Sequence, residues 1–427
     1  MDKETLSNYG WIVVLVLILA VMMALATPFG SFVSTAIKDV TGGFWDVNSA
    51  SLNAVGLDTG DIGFDGDPAS CGIEGHYIGD DKGEHGIPVE DCASGHTYTC
   101  ECDGWIVPND GTYTMKSGAT YTAGQELPCG YNAVSGDVYV DKYYTYSCLG
   151  SCWRVRVLDK TKTSYGEIYE SIANKPIEMM DNTFKDCESL IVSPVIPSRV
   201  TDMSHTFENC TSLTTAPIIP SRVTQMYQTF YKCTSLKISP AIPNRVSNMY
   251  CAFGNCTSLT TPPNMSNATN VSNMHQTFVN CTSLTTCPNI SNSNKITNMQ
   301  GTFQGCTSLT TPPPEIPSRV TNMYQTFSSC TSLTTPPDMS KATSVTDMRM
   351  TFYKCISLKA TPVIPNSVTK MSSTFENCTS LTGTIEINAN PTSYSSCFSG
   401  VKFISQGITL TGSSTMLDTL KATGSNS

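Results

Sequence analysis

The sequence predicts a repeat solenoid of ten coils, each 23–25 residues long, wound from short strands joined by turns or short helices. Phe recurs at 184, 207, 230, 253, 278, 303, 327, 352, 375 and 398. The first nine are each followed three residues later by Cys, from Cys187 to Cys378, and three further on by Leu, from Leu190 to Leu381. Met stands four residues before each of those Phe, from Met180 to Met371, and Val or Ile seven before, as in Val200, Val223, Ile296 and Val345. Self-similarity at a fixed period is the mark of a solenoid. One coil carries too few apolar side chains to bury a core alone, whereas stacked coils align Val, Met, Phe, Cys and Leu into internal columns.

From the N-terminus, residues 1–43 read as an anchor. Trp11 to Ala26 is an unbroken apolar run, and no charge falls between Tyr9 and Ser34. With its flanking residues the run reaches the ~17–25 residues that span a bilayer core. Two readings stay open: a retained transmembrane helix, or a signal peptide cleaved after Ala24-Leu25-Ala26. The non-basic start Met-Asp-Lys-Glu and the nearby Pro28 speak for the anchor. Beyond Pro28, the residues Phe29, Phe32, Val33, Ala36, Ile37 and Val40 recur at helical spacing. This spanning helix with an amphipathic extension is loosely similar to the N-terminal helix of Flp-type and type IV pilins, although the Gly of a processing site and the Glu at its fifth position are not in place. The resemblance implies a subunit that self-assembles.

Residues 44–70 read as a Gly/Asp-rich linker, in which Asp58, Asp61, Asp65 and Asp67 are oxygen donors of the kind calcium takes, without the EF-hand spacing. Residues 71–110 form a Cys/His-rich module with two related units, Cys71-x4-His76 and Cys92-x3-His96, followed by Cys100 and Cys102. Thiolates and imidazoles at such spacing can hold zinc. In an exported chain cysteines more often oxidise into a disulfide-stapled module, the reading preferred here. No cofactor is expected; zinc and calcium are the alternatives.

Residues 111–176 read as a small β module leading into the solenoid. TYTM, ATYTA, DVYVDKYYTYS and WRVRVL alternate apolar and polar side chains at period two between Gly-containing turns. Trp153, Val155 and Val157 face one side, and Cys129, Cys148 and Cys152 brace the module. The solenoid occupies 177–400. In it, the Thr-Thr-x-Pro segment after the Leu, as at Leu213, suits a short strand ended by Pro, and the Cys column is expected to be a reduced packing ladder, since parallel Cβ vectors suit disulfide geometry poorly. The last coil departs from the pattern, with Tyr394 for Met and Val401 for Cys, and residues 401–427 form a cap and tail.

The repeat VTNMYQTFSSCTSLTTPP, residues 320–337, resembles the BspA-like leucine-rich repeat of bacterial and protist surface proteins. The resemblance covers about half the chain, and Met and Phe stand where Leu is usual. It implies a leucine-rich-repeat-like fold and an interaction surface, often adhesive, at the cell surface.

The charge distribution narrows function. Residues 44–150 carry 17 acidic and 3 basic side chains, residues 177–400 carry 11 and 13. A near-neutral solenoid without a basic run argues against nucleic acid, which needs clustered cations to displace its counterions. No arrangement of nucleophile and base, phosphate loop or paired carboxylates is legible, so no enzyme is expected. Variation between the constant columns marks where a ligand would sit. Directly after Met stand Tyr227, Tyr250, His275, Gln300, Tyr324 and Arg349, a candidate binding stripe of exposed positions. Arg199, Arg222 and Arg245 stack in consecutive coils as candidate contacts for an anionic group. The reading is thus a membrane-anchored surface protein with an extracellular protein or glycan ligand; the alternative is a pilin-like structural subunit carrying a solenoid head.

Overall fold

The computed structural model describes residues 104–108 and 110–425. The apolar run 11–26, the acidic linker and the set Cys71, His76, Cys92, His96, Cys100 and Cys102 lie outside the described residues. Among the described residues no helix is long and apolar enough to cross a membrane.

The β module is a seven-stranded sheet in the order β2-β1-β3-β4-β5-β7-β6, with β6 at Ser171–Ile172 and β7 at Lys175–Met179. Strands β1 (Thr112–Thr114), β2 (Thr120–Thr122), β3 (Val138–Val140), β4 (Tyr144–Cys148) and β5 (Trp153–Val157) pair antiparallel. Their period-two pattern buries one face: Tyr144, Tyr146 and Cys148 from β4, Trp153 and Val155 from β5. Rings of Tyr113, Tyr139, Tyr146 and Trp153 pack mostly at steep angles, the arrangement their quadrupoles favour. Asp137 ties this core together. Its carboxylate accepts from Tyr113 Oη at 2.7 Å, Tyr131 Oη at 2.6 Å, the Val134 amide at 2.9 Å and the Lys116 amide at 2.8 Å. Cys129 is in a disulfide, whereas Cys148 and Cys152 are buried free thiols. Of the three cysteines expected to brace the module, Cys148 and Cys152 do not, and serve as apolar filling.

Two short strands, β6 (Ser171–Ile172) and β7 (Lys175–Met179), join the sheet to the repeats; β7 runs parallel to β5. Met179 then opens a column of single-residue parallel bridges through Asp202, Gln225, Asn248, Asn273, Asn298, Asn322, Asp347, Lys370 and Ser393. In this column each coil gives its neighbour a single bridge. The Thr-Thr-x-Pro segments are likewise reduced to isolated bridges such as Val192–Thr215–Ile238–Thr261, because Pro removes the next donor.

Between Met and Cys the chain is neither strand nor helix. In the coil around Phe207, the amides of Thr206, Cys210 and Leu213 close turns onto Met203, Phe207 and Cys210. The intervening amides of His205, Phe207 and Asn209 reach the next coil, at Tyr227, Thr229 and Tyr231. Such alternation needs a left-handed residue two after Met and two after Phe; His205 and Asn209 have φ 56° and 61°, and the pattern recurs in every coil. Asn and Asp, which tolerate this region, fill the second position at Asp186, Asn209, Asn255, Asn280 and Asn377.

The interior is a set of ladders. Phe rings from Phe184 to Phe398 stack at 5.2–5.6 Å and within 14° of parallel. The Cys column is reduced, as expected, and bonded: Sγ of Cys210, Cys233, Cys256, Cys281, Cys306, Cys330, Cys355 and Cys378 each donates at 3.1 Å to the Phe carbonyl of the preceding coil. Thr206 and its equivalents donate from Oγ1 to the Met carbonyl of the coil before. With a period of 23–25 residues, inward apolar columns and parallel bridges, the architecture is leucine-rich-repeat-like. At the far end β8 (Gly383–Glu386) pairs parallel with β9 (Ile408–Thr411), Phe403 packs edge-on against Phe398, and α1 (Leu417–Lys421) buries Leu420. These elements cover the last Phe, as a terminal cap must.

Candidate binding face

Outward-pointing positions of the coils form columns as regular as the inward ones. After the inward Val comes a Thr or Ser whose hydroxyl donates to the previous coil, as Thr224 Oγ1 does to the Thr201 carbonyl at 3.2 Å. The next residue is Asn or Asp in most coils. Its side-chain oxygen accepts the amide two residues on: Asn248 from Tyr250 at 3.1 Å, Asn273 from His275 at 3.0 Å, Asn298 from Gln300 at 3.0 Å, Asn322 from Tyr324 at 2.9 Å, Asp347 from Arg349 at 3.1 Å. This local Asx turn sets the direction of the side chain after Met. Asn Nδ2 groups also reach between coils, Asn273 to Asn248 Oδ1 at 3.1 Å and Asn322 to Gln300 Oε1 at 3.3 Å. Sequence reasoning passed over this column, although Asn or Asp before Met was a visible signal.

The stripe after Met is brought together, in two parts. Tyr227 and Tyr250 stack face to face at 4.7 Å and 7°; His275 meets Tyr250 edge-on at 4.8 Å. His205, two residues after its Met, extends the series onto Tyr227 at 5.0 Å. Gln300 separates this run from a second, in which the Arg349 guanidinium lies 5.1 Å from the Tyr324 ring centre. Arg349 also forks onto Asp347, with Nε 3.0 Å from Oδ1 and Nη2 2.6 Å from Oδ2. The stripe was expected to be exposed; it is half-buried, Tyr227, Tyr250 and His275 leaning on one another and Arg349 lying over Tyr324. Burial lowers the affinity of His275 for a proton, so it adds a neutral imidazole to the column.

Arg199, Arg222 and Arg245 stand exposed at the corner before the inward Val, and none makes an ion pair among the described residues. No group of three or more His, Cys, Asp or Glu that could hold a metal occurs among the described residues. The periodic thiols are held protonated by burial, Cys306 and Cys355 up to about 12. The face therefore offers aromatic edges, amides, hydroxyls and guanidinium groups.

Among solved structures the chain is similar to a leucine-rich repeat protein of Treponema pallidum, at 22% identity and a TM-score of 0.37, covering 45% of this chain and 88% of that one. It is also similar to a leucine-rich cell surface protein of Faecalibacterium prausnitzii, at 16% identity and a TM-score of 0.28, over 58% and 94%. The pneumococcal vaccine antigen PcpA gives 13% identity and a TM-score of 0.24, over 69% and 98%. No curated protein matches the chain. In sequence, the coils match the family described as "Mycoplasma protein of unknown function, DUF285" in four overlapping stretches, residues 178–290, 201–315, 247–363 and 289–386.

Proposed function

We propose that this chain is a non-enzymatic binding protein displayed at a cell surface, with an extracellular protein or glycan as ligand and adhesion as the outcome. The observation that carries the reading is the aromatic column His205–Tyr227–Tyr250–His275, pre-set by Asx turns and ring stacking. Side chains already held in place lose little freedom on binding, which favours affinity, and Tyr is a frequent anchor of recognition surfaces. Presentation at a membrane is supported by the apolar run 11–26, which also underlies the filament-subunit alternative.

The test uses the full chain and its Tyr227→Ala/Tyr250→Ala variant against immobilised extracellular-matrix proteins and arrayed glycans. A ligand retained by the parent chain is expected to bind the variant about tenfold or more weakly. Equal retention by both removes the aromatic column from the reading; the absence of any retained ligand removes the binding role.

A further inference from the structure

The corner column continues past its first three members. Aligning coils by their inward Val or Ile places Arg199, Arg222, Arg245, Asn270, Lys295 and Arg319 at one equivalent position. Five of six consecutive coils thus carry a cation there, and all five are exposed. None is neutralised by an ion pair among the described residues. Lys295 points along the column, its Nζ on Asn270 Oδ1 at 2.5 Å. Of the nearby carboxylates, Glu315 pairs with Lys341 at 2.7 Å, and Glu170 accepts from the amide and hydroxyl of Ser198, next to Arg199, without pairing with the arginine. The column stands on the near-neutral solenoid, while the acidic excess of the chain sits in residues 44–150.

We propose that this column is a track for a linear acidic polysaccharide lying along the solenoid axis, its carboxylates or sulfates meeting Arg199, Arg222, Arg245, Lys295 and Arg319. The inference rests on the binding role above and names a ligand class for it. Like charges stacked coil upon coil repel one another, and an anion lying between two of them removes that repulsion. Guanidinium groups take a carboxylate or sulfate two-pronged. Rings of successive coils lie 4.7–5.6 Å apart, close to the advance of one sugar in an extended chain. Single-stranded nucleic acid fits less well. It binds by stacking bases on open aromatic faces, and here Tyr227 and Tyr250 close each other's faces, leaving edges.

The full chain is titrated with polygalacturonate, with neutral dextran and with a thymidine oligonucleotide at low ionic strength. Polygalacturonate is expected to bind, to weaken as salt rises, and to bind the Arg222→Gln/Arg245→Gln variant about tenfold more weakly. Dextran is expected to bind neither chain. Both arginines are exposed and unpaired, so the variant should keep the parent's circular dichroism and melting curve, which are recorded alongside. Absence of polygalacturonate binding, equal binding by the variant, or tighter binding of the oligonucleotide each overturns the proposal. The Tyr227→Ala/Tyr250→Ala variant separates the two ideas, because it leaves the basic column intact. If Tyr-dependent retention of another ligand persists while polygalacturonate fails, the track is wrong and the binding role stands.

Discussion

At the scale of the residue, the periodic cysteines show why a sequence can keep nine thiols without building disulfides. Each sulfur is enclosed, and from Cys210 onward each donates to a carbonyl of the coil before. Cys is small enough to fit beside the Phe stack and still supplies a weak donor. Burial pushes the Cys306 and Cys355 thiols up to about 12 and Cys281 well above its usual value. The thiolate, which is the reactive form, is therefore scarce in the folded chain. Iodoacetamide at neutral pH should leave Cys281, Cys306 and Cys355 unmodified in the native protein and alkylate all three after denaturation, as read by peptide mass spectrometry. Rapid native labelling would contradict a closed interior.

At the scale of the element, the sheet of the β module is held at one point by a charge. Asp137 is inaccessible to solvent, and burial alone would raise its pKa. Hydrogen bonds from Tyr131, Val134, Tyr113 and Lys116 outweigh that effect and bring it below the usual 3.8. The folded state therefore binds the proton more weakly than the unfolded chain. The resulting stabilisation is complete above the unfolded value and is lost as pH falls through the lowered folded value. In Asp137→Asn the amide oxygen can replace Oδ2, but its NH2 then faces the Lys116 amide, donor against donor. We expect a loss of about 2 kcal/mol at neutral pH, read from urea unfolding followed by tryptophan emission. The gap between parent and variant should narrow at acid pH. A gap that stays constant or widens on acidification would show that the carboxylate's charge is not what holds the strands.

At the scale of the whole molecule, stability is shared between neighbours. Each interior coil contacts the one before and the one after through the same set of amides, the same ring stack and the same sulfur, so the interior coils are equivalent. Excising residues 275–299 joins Met274 to Gln300 and removes one full period. That shortened chain should fold, with the parent's circular dichroism shape and a lower urea midpoint. Excising 275–287 removes about half a period, sets the inward columns out of register, and should abolish cooperative unfolding. If both deletions behave alike, the coils are not interchangeable units.

The inward half of this protein was readable from its amino-acid order. Stacking makes residue identity recur wherever a side chain must meet its own copy, so Val200, Met203, Phe207, Cys210 and Leu213 announced the coil, and the broken pattern at Tyr394 and Val401 announced its end. The β module was legible for the related reason that a half-buried strand alternates at period two. The outward half was only partly readable. Tyr227, Tyr250 and His275 could be aligned by spacing, but their stacking, their half-burial and the entry of His205 from a different position depend on neighbours 22 to 25 residues away. So does the Asn ladder that orients them. Local order along the chain dictated which residues turn inward, because water excludes them. Contact between coils decided how the remainder face one another, because two left-handed residues per coil replace any helical or strand period by which such contacts could be counted in advance.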